Sequence, residues 1–193
     1  ILTDQPIANL VVNPTNSPIA ILNGPLTVSN NVTINTGTGL NCNSKNLTIG
    51  NGGTTGGVFT NNGTFTCTGT TTTFNGGIAQ NITGTVNPIV FNNLTINNST
   101  GVTLNQNVNA GGIVTLTSGP LNIFSKTFIM ASNVPTNLAV TSGYVLSEKA
   151  DNTSLFQWNI GTGTGAKNYV FPFGNASGTY IPFTLTLTAG NIG

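Results

Sequence analysis

Histidine and arginine are absent from this sequence, and charge of either sign is scarce. The 193 residues include four lysines and three acidic residues, and the formal net charge is +1. Without histidine, a Ser-His-Asp triad or a histidine-ligated metal site cannot form. The chain also lacks the basic surface that binds nucleic acid, so nucleic acid is not an expected partner. The composition therefore predicts a protein that is not an enzyme and that carries no cofactor.

Long apolar stretches are absent as well. No run approaches the ~20 residues that a membrane-spanning helix needs, so no membrane span is expected. The chain opens at Ile1 without a basic segment followed by an apolar one, and both of its ends look cut. We therefore expect a segment of a longer polypeptide.

Asparagine, threonine and glycine take the place of the missing residue types. The chain contains 31 Asn, 34 Thr and 25 Gly, while 37% of its residues are hydrophobic and its mean hydropathy is +0.16. Disordered chains combine high polarity with low hydrophobicity, and this apolar content is too high for that class. An uncharged chain of this kind is typical of folded β-structure.

Short apolar pairs alternate with single polar residues along most of the chain. Leu26/Val28, Val32/Ile34 and Leu47/Ile49 are examples, and their period of two predicts short strands with one buried face. Three such strands recur in roughly 20–25 residues, which is the coil length of a β-helix. An antiparallel sandwich is the alternative, but hairpin signals are sparse before residue 130 and helical spacing is absent. The predicted fold class is all-β, with a parallel β-helix (β-solenoid) over residues 1–130.

A longer repeat lies within this solenoid. Three phrases of residues 9–49 return in the same order within residues 93–130, at an offset of 81 to 84 residues. One such pair is Asn9–Asn13 and Asn93–Asn97. The repeated order predicts an internal duplication.

The two cysteines, Cys42 and Cys67, are 25 residues apart, and each shares a strand face with a large apolar neighbour. If 25 residues make one coil, both side chains point inward on adjacent coils about 4.8 Å apart. A disulfide fits that separation, and so does a stacked pair of free thiols. Two cysteines without histidine are too few for a zinc site.

The pattern changes near residue 131. Residues 131–193 hold 8 of the 14 aromatic residues and four of the seven charged ones, and glycine-rich turns at 161–165 and 174–178 separate longer strands. We predict a small antiparallel β-sheet or sandwich-like unit here. An open solenoid end exposes unpaired backbone, so a unit that packs on that end has a physical reason to exist.

Two groups of side chains in this second unit are candidate sites. Trp158, Tyr169 and Tyr180 are candidates for a sugar-stacking platform, although their alternation with other apolar residues equally predicts burial in a core. Glu148 and Asp151 are candidates for a calcium site, since hard cations prefer carboxylate oxygens; a solvated turn explains them as well.

One threonine-rich series suggests a further alternative. Thr64, Thr66, Thr68 and Thr70 resemble the threonine ranks of ice-binding solenoids. Such a surface needs threonine at the same place on every coil, and elsewhere in the sequence the Thr-x-Thr motif is scattered.

Three phrases carry a resemblance to a known class of proteins, and they lie at residues 76–84 (GGIAQNITG), 91–104 (FNNLTINNSTGVTL) and 111–119 (GGIVTLTSG). Together they resemble the repetitive β-solenoid secreted and cell-surface, adhesin-like proteins of Bacteroidota, many of which are substrates of the type IX secretion system. The resemblance implies export, surface display and adhesive or matrix roles.

The sequence thus favours a non-catalytic structural or adhesive segment of a large exported surface or extracellular-fibre protein. Its expected partners are further copies of itself, end to end, or flanking parts of the same polypeptide. The alternatives are a glycan- or ice-binding module and a passive secretion cargo segment bound to export machinery. The expected location is secreted or at the cell surface.

Overall fold

The computed structural model describes residues 6–13, 15–148, 152–161 and 165–188. These residues form 22 β-strands and a single 3-10 turn at Pro135–Asn137. Among them, no helix has the length and apolar character needed to cross a bilayer. The all-β prediction is confirmed.

Twenty of the strands belong to three faces of one parallel solenoid. The first face contains β1 (Leu10–Val12), β4 (Val32–Ile34), β7 (Gly57–Asn61), β10 (Gln80–Gly84), β13 (Val102–Leu104), β16 (Pro120–Asn122) and β19 (Tyr144–Leu146). The second face contains β2 (Ile19–Ile21), β5 (Gly39–Asn41), β8 (Thr64–Thr66), β11 (Ile89–Phe91), β14 (Val108–Ala110), β17 (Thr127–Met130) and β20 (Leu155–Trp158). The third face contains β3 (Leu26–Val28), β6 (Leu47–Gly52), β9 (Thr71–Gly76), β12 (Asn93–Asn97), β15 (Val114–Ser118) and β18 (Leu138–Val140).

Three consecutive strands, one on each face, make one coil. Paired residues on adjacent coils are between 19 and 28 positions apart, the extremes being Val102 with Leu121 and Phe128 with Phe156. Six complete coils stack in this way, and β19 and β20 begin a seventh. The predicted parallel solenoid is confirmed.

The interior is apolar because inward and outward side chains alternate along each strand. In β3, Leu26 and Val28 are buried and Thr27 between them is only half-buried. The same pattern recurs in β4, β12 and β13. Full burial of one such aliphatic or aromatic side chain is worth about 1.5–3 kcal/mol, and stacking repeats that gain on every coil.

The end of the solenoid lies later than the sequence indicated. Parallel pairing does not stop at residue 130, since β18, β19 and β20 pair in parallel with β15, β16 and β17. The break in rhythm at residues 133–137 is a long corner that contains the 3-10 turn, not a boundary. The solenoid therefore extends to Trp158.

The sequence repeat spans a number of strands that is not a whole number of coils. Its matched phrases place β1 opposite β12, β5 opposite β16 and β6 opposite β17, each pair eleven strands apart. Because a coil has three strands, matched strands lie on different faces. The repeat thus relates strand-and-corner units rather than equivalent coils.

An antiparallel hairpin follows the last coil, as predicted for this part of the chain. It contains β21 (Lys167–Phe171) and β22 (Phe183–Leu187), and most of the turn predicted at 161–165 lies outside the described residues. Its apolar side packs on the solenoid end: the Tyr169 and Phe171 rings lie 5.0 and 5.3 Å from the Trp158 ring. Phe173, just after β21, forms a parallel bridge with Val145 and extends the first face.

Candidate functional site

Two of the three residues proposed as a sugar-stacking platform belong to the core. Tyr169 is fully buried, and its hydroxyl lies within hydrogen-bond distance of the carbonyl oxygens of Asn133 (2.8 Å) and Ile160 (3.0 Å). Trp158 is 9% exposed and its indole N–H donates to the Ser132 carbonyl at 2.9 Å. The structure does not bring the three rings together on one surface.

The third residue, Tyr180, is 46% exposed and lines a groove of about 410 Å³ together with Tyr144. The groove lies between the last corner of the third face and the turn that precedes β22. Its remaining lining residues are Val140, Thr141, Ser142, Gly143 and Gly178. Sequence reasoning missed Tyr144, because the spacing of these segments along the chain gives no sign that they meet.

The two cysteines lie on adjacent coils. Each directly follows one of the paired residues Asn41 and Thr66, and the Cys42 N–H donates to the Thr66 carbonyl at 2.9 Å. Both are buried free thiols. Burial first, and then the neighbouring Cys67, raise the pKa of Cys42 to about 12, while a side-chain hydrogen bond with Thr70 acts in the opposite direction. A disulfide between them stays a prediction that a thiol count would test.

Cys67 also lies at an interruption of the second face, which we call the seam. Among the described strands, β8 pairs only with β5, and β11 pairs only with β14. Across this seam the Cys67 Sγ accepts a hydrogen bond from the Asn92 N–H at 3.0 Å and donates to the Val90 carbonyl at 3.4 Å. Burial raises the pKa of the Cys67 thiol, and the Asn92 N–H lowers it. The thiol therefore substitutes for ladder hydrogen bonds and is a poor nucleophile at neutral pH.

The candidate calcium residues do not assemble within the described residues. Glu148 is exposed, and its Oε2 accepts a hydrogen bond from the Ala176 N–H at 3.0 Å. Asp151 lies outside the described residues. Glu148 thus holds the turn before β22 in place.

The threonine series singled out in the sequence does not form a flat rank. Thr64 and Thr66 are exposed on β8, whereas Thr70 is buried at the next corner and donates to the Cys67 carbonyl at 2.6 Å. A different set of threonines does form one, on the third face. Its members occupy the outward centre of five successive strands and are paired in register: Thr27, Thr48, Thr73, Thr95 and Thr115.

We call this set the threonine rank, and its five side chains are half-exposed. In the described part of the chain, none of its five hydroxyls makes a hydrogen bond to protein. The neighbouring outward positions carry an amide ladder in which the Asn97 side chain donates to Asn75 at 2.8 Å and accepts from Ser118 at 3.1 Å. Sequence reasoning missed the rank because its paired members are 20 to 25 residues apart, so no fixed period aligns them.

Comparison of the chain with protein-family models, curated proteins and solved structures finds no match.

Proposed function

We propose that this chain is a non-catalytic structural and adhesive segment of a large exported protein, displayed at a cell surface or in an extracellular fibre. The observation that carries the proposal is the stack of six coils, continuous along its first and third faces, with an apolar interior and neutral hydroxyl and amide side chains outside. Such a stack adds length without needing a wider core. The resemblance of residues 76–119 to surface solenoids supports the exported location.

The chemistry of the side chains supports a non-catalytic role. The two thiols are buried and their pKa values are raised, which disfavours the reactive thiolate form. The Glu148 carboxylate is engaged with the Ala176 N–H. These groups contribute to the fold, and the outer faces offer contact surface rather than general acids or bases.

The first coil supports end-to-end association. In the described residues β1 pairs only with β4 and β2 only with β5, so the other edge of each strand is open. Ile19 and Ile21 on β2 are 64% and 53% exposed. An open edge of this kind pairs readily with another strand, here a coil from a flanking part of the same polypeptide or from a second copy.

Adhesion through a nearly uncharged surface has a testable signature. Retention of the purified chain on hydroxylated silica, measured by quartz-crystal microbalance, should stay constant from roughly 0.01 M to 1 M salt, although the Debye length falls from about 30 to 3 Å. Absence of retention, or retention that disappears in high salt, would contradict the adhesive role.

Antibodies against the chain should label intact cells that carry its gene, and labelling only after permeabilisation would contradict surface display.

A second candidate function, binding of ice or of ordered water, is favoured by the threonine rank. Parallel strands lie about 4.7–4.9 Å apart, so the five hydroxyls repeat at that interval. Tetrahedral oxygens joined by hydrogen bonds of about 2.75 Å place their next-nearest neighbours about 4.5 Å apart. The mismatch grows to only about 1 Å over the four steps of the rank.

Inhibition of ice recrystallisation tests this second candidate. The wild-type chain should slow crystal growth, and Thr73→Lys in the middle of the rank should remove the effect. Thr33→Lys is the matched control, because Thr33 occupies the same outward position on the first face but does not belong to the rank. No inhibition by the wild type, or equal loss in both variants, would reject ice binding.

A further inference from the structure

The groove between Tyr144 and Tyr180 is formed by two well-anchored walls. One wall is the corner before β19, where Ser142 donates through its hydroxyl at 2.8 Å and its N–H at 3.1 Å to the Thr117 carbonyl. Tyr144 follows and begins β19, paired with Pro120 of the preceding coil. This wall therefore belongs to the stacked coils.

The other wall is the turn at residues 174–180. Asn175 closes it through its side-chain oxygen, which accepts from the Ser177 and Thr179 N–H groups at 3.1 and 2.9 Å. Gly174 forms a bridge with Tyr180, and a Cβ at Gly174 would lie 2.3 Å from the Tyr144 ring, so the turn packs directly against that ring. The groove therefore exists before any ligand arrives.

The lining is amphipathic and uncharged. Among the described residues it contains two tyrosine rings and the hydroxyls of Thr141 and Ser142, and no charged side chain. In the part of the chain that the structure describes, the hydroxyls of Tyr144 and Tyr180 make no hydrogen bond to protein, in contrast to the fully engaged hydroxyl of Tyr169. A volume of about 410 Å³ lies within the usual range for small-molecule sites.

These features select the chemistry of the ligand. The exposed Tyr180 ring and the half-exposed Tyr144 ring provide apolar surface with polar tips, which matches a molecule that has one C–H face and many hydroxyls. The Glu148 carboxylate accepts a hydrogen bond from the Ala176 N–H in one groove wall, and its negative charge disfavours anions. We propose that this groove binds a neutral sugar residue of a polysaccharide chain.

The test measures binding of neutral and anionic oligosaccharides on a glycan array, followed by titration of a positive glycan into ¹⁵N-labelled protein. Neutral glycans should bind, with chemical-shift changes confined to residues 140–144 and 174–180. Tyr180→Ala should weaken binding by about tenfold or more, as for loss of an aromatic anchor. Tyr180→Phe, which keeps the ring, should bind with intermediate affinity.

Phe183→Ala is the matched control, because Phe183 is also an exposed aromatic residue of this region, 57% exposed, but does not line the groove. It should bind as the wild type does. Binding of no neutral glycan, preference for anionic glycans, shifts outside the groove, or equal loss in the Tyr180 and Phe183 variants would overturn the proposal. Because the sugar site is independent of the adhesive outer faces, these outcomes leave the salt-dependence test of the proposed function unaffected.

Discussion

Replacement of Gly84 by alanine tests how closely adjacent coils approach each other. Gly84 ends β10 and is paired with Asn61 of β7, at a φ of 138°. A Cβ at this position would lie 2.0 Å from the Asn61 carbonyl oxygen, which accepts hydrogen bonds from the N–H groups of Thr85 and Val86, both at 3.2 Å. Alanine can be accommodated only if the two coils separate locally and those two bonds are lost.

The expected loss of stability follows from these contacts. Two hydrogen bonds at about 1 kcal/mol each, together with about 1–2 kcal/mol for a side chain at positive φ, give a loss of about 3–4 kcal/mol in the free energy of unfolding. Gly52→Ala is the matched control, because Gly52 also has a positive φ, 76°, but its Cβ would meet nothing within 4 Å. The free energy of unfolding of this variant should fall only by the cost of backbone strain, about 1–2 kcal/mol.

Urea unfolding followed by circular dichroism measures both losses. Gly84→Ala should be less stable than Gly52→Ala by about 2 kcal/mol, the contribution of the two lost hydrogen bonds. Equal destabilisation of the two variants would show that the coils do not meet at Asn61, and the reasoning would then be wrong.

Three further predictions concern the core. Phe59→Ala should destabilise the chain by about 3–5 kcal/mol in the same urea assay, because the ring is fully buried; a loss below about 1 kcal/mol would contradict its central position. The raised pKa of Cys42 means that the folded state holds this thiol protonated. Its contribution to the free energy of unfolding should therefore be complete below pH 9.0 and decrease as pH rises toward about 12. The stability of Cys42→Ala should decrease less steeply over that range, and identical pH slopes would argue against a buried thiol. Tyr169→Phe should cost about 1–2 kcal/mol by thermal unfolding, since the Asn133 and Ile160 carbonyls lose the one hydroxyl proton that they share, and an unchanged melting temperature would contradict those contacts.

The strands were predictable because burial on a parallel sheet imposes a period of two on the sequence. The Leu26/Val28 and Leu47/Ile49 pairs show it directly, and the structure places both pairs inward on adjacent strands of one face. The coil length followed from the spacing of such pairs. Sequence and structure agree here because buried and outward side chains alternate along each strand.

The end of the solenoid was not predictable, because it depends on pairing between distant residues. Phe128 pairs with Phe156 across 28 positions, and the chain between them includes the long corner at residues 133–137, where the alternation of apolar and polar residues breaks. Nothing local distinguishes a corner that returns to the same stack from one that leaves it. The same limit applies to Tyr144 and Tyr180, which meet only because the turn before β22 folds back onto the last coil.

The most direct test of the stacked coils is the set of backbone proton contacts between strands in solution. A nuclear Overhauser spectrum of the labelled chain should show parallel-strand contacts that link Thr27 to Thr48, Thr48 to Thr73 and Thr73 to Thr95 in succession. Antiparallel cross-strand contacts between neighbouring strands of residues 10–130 would contradict that arrangement.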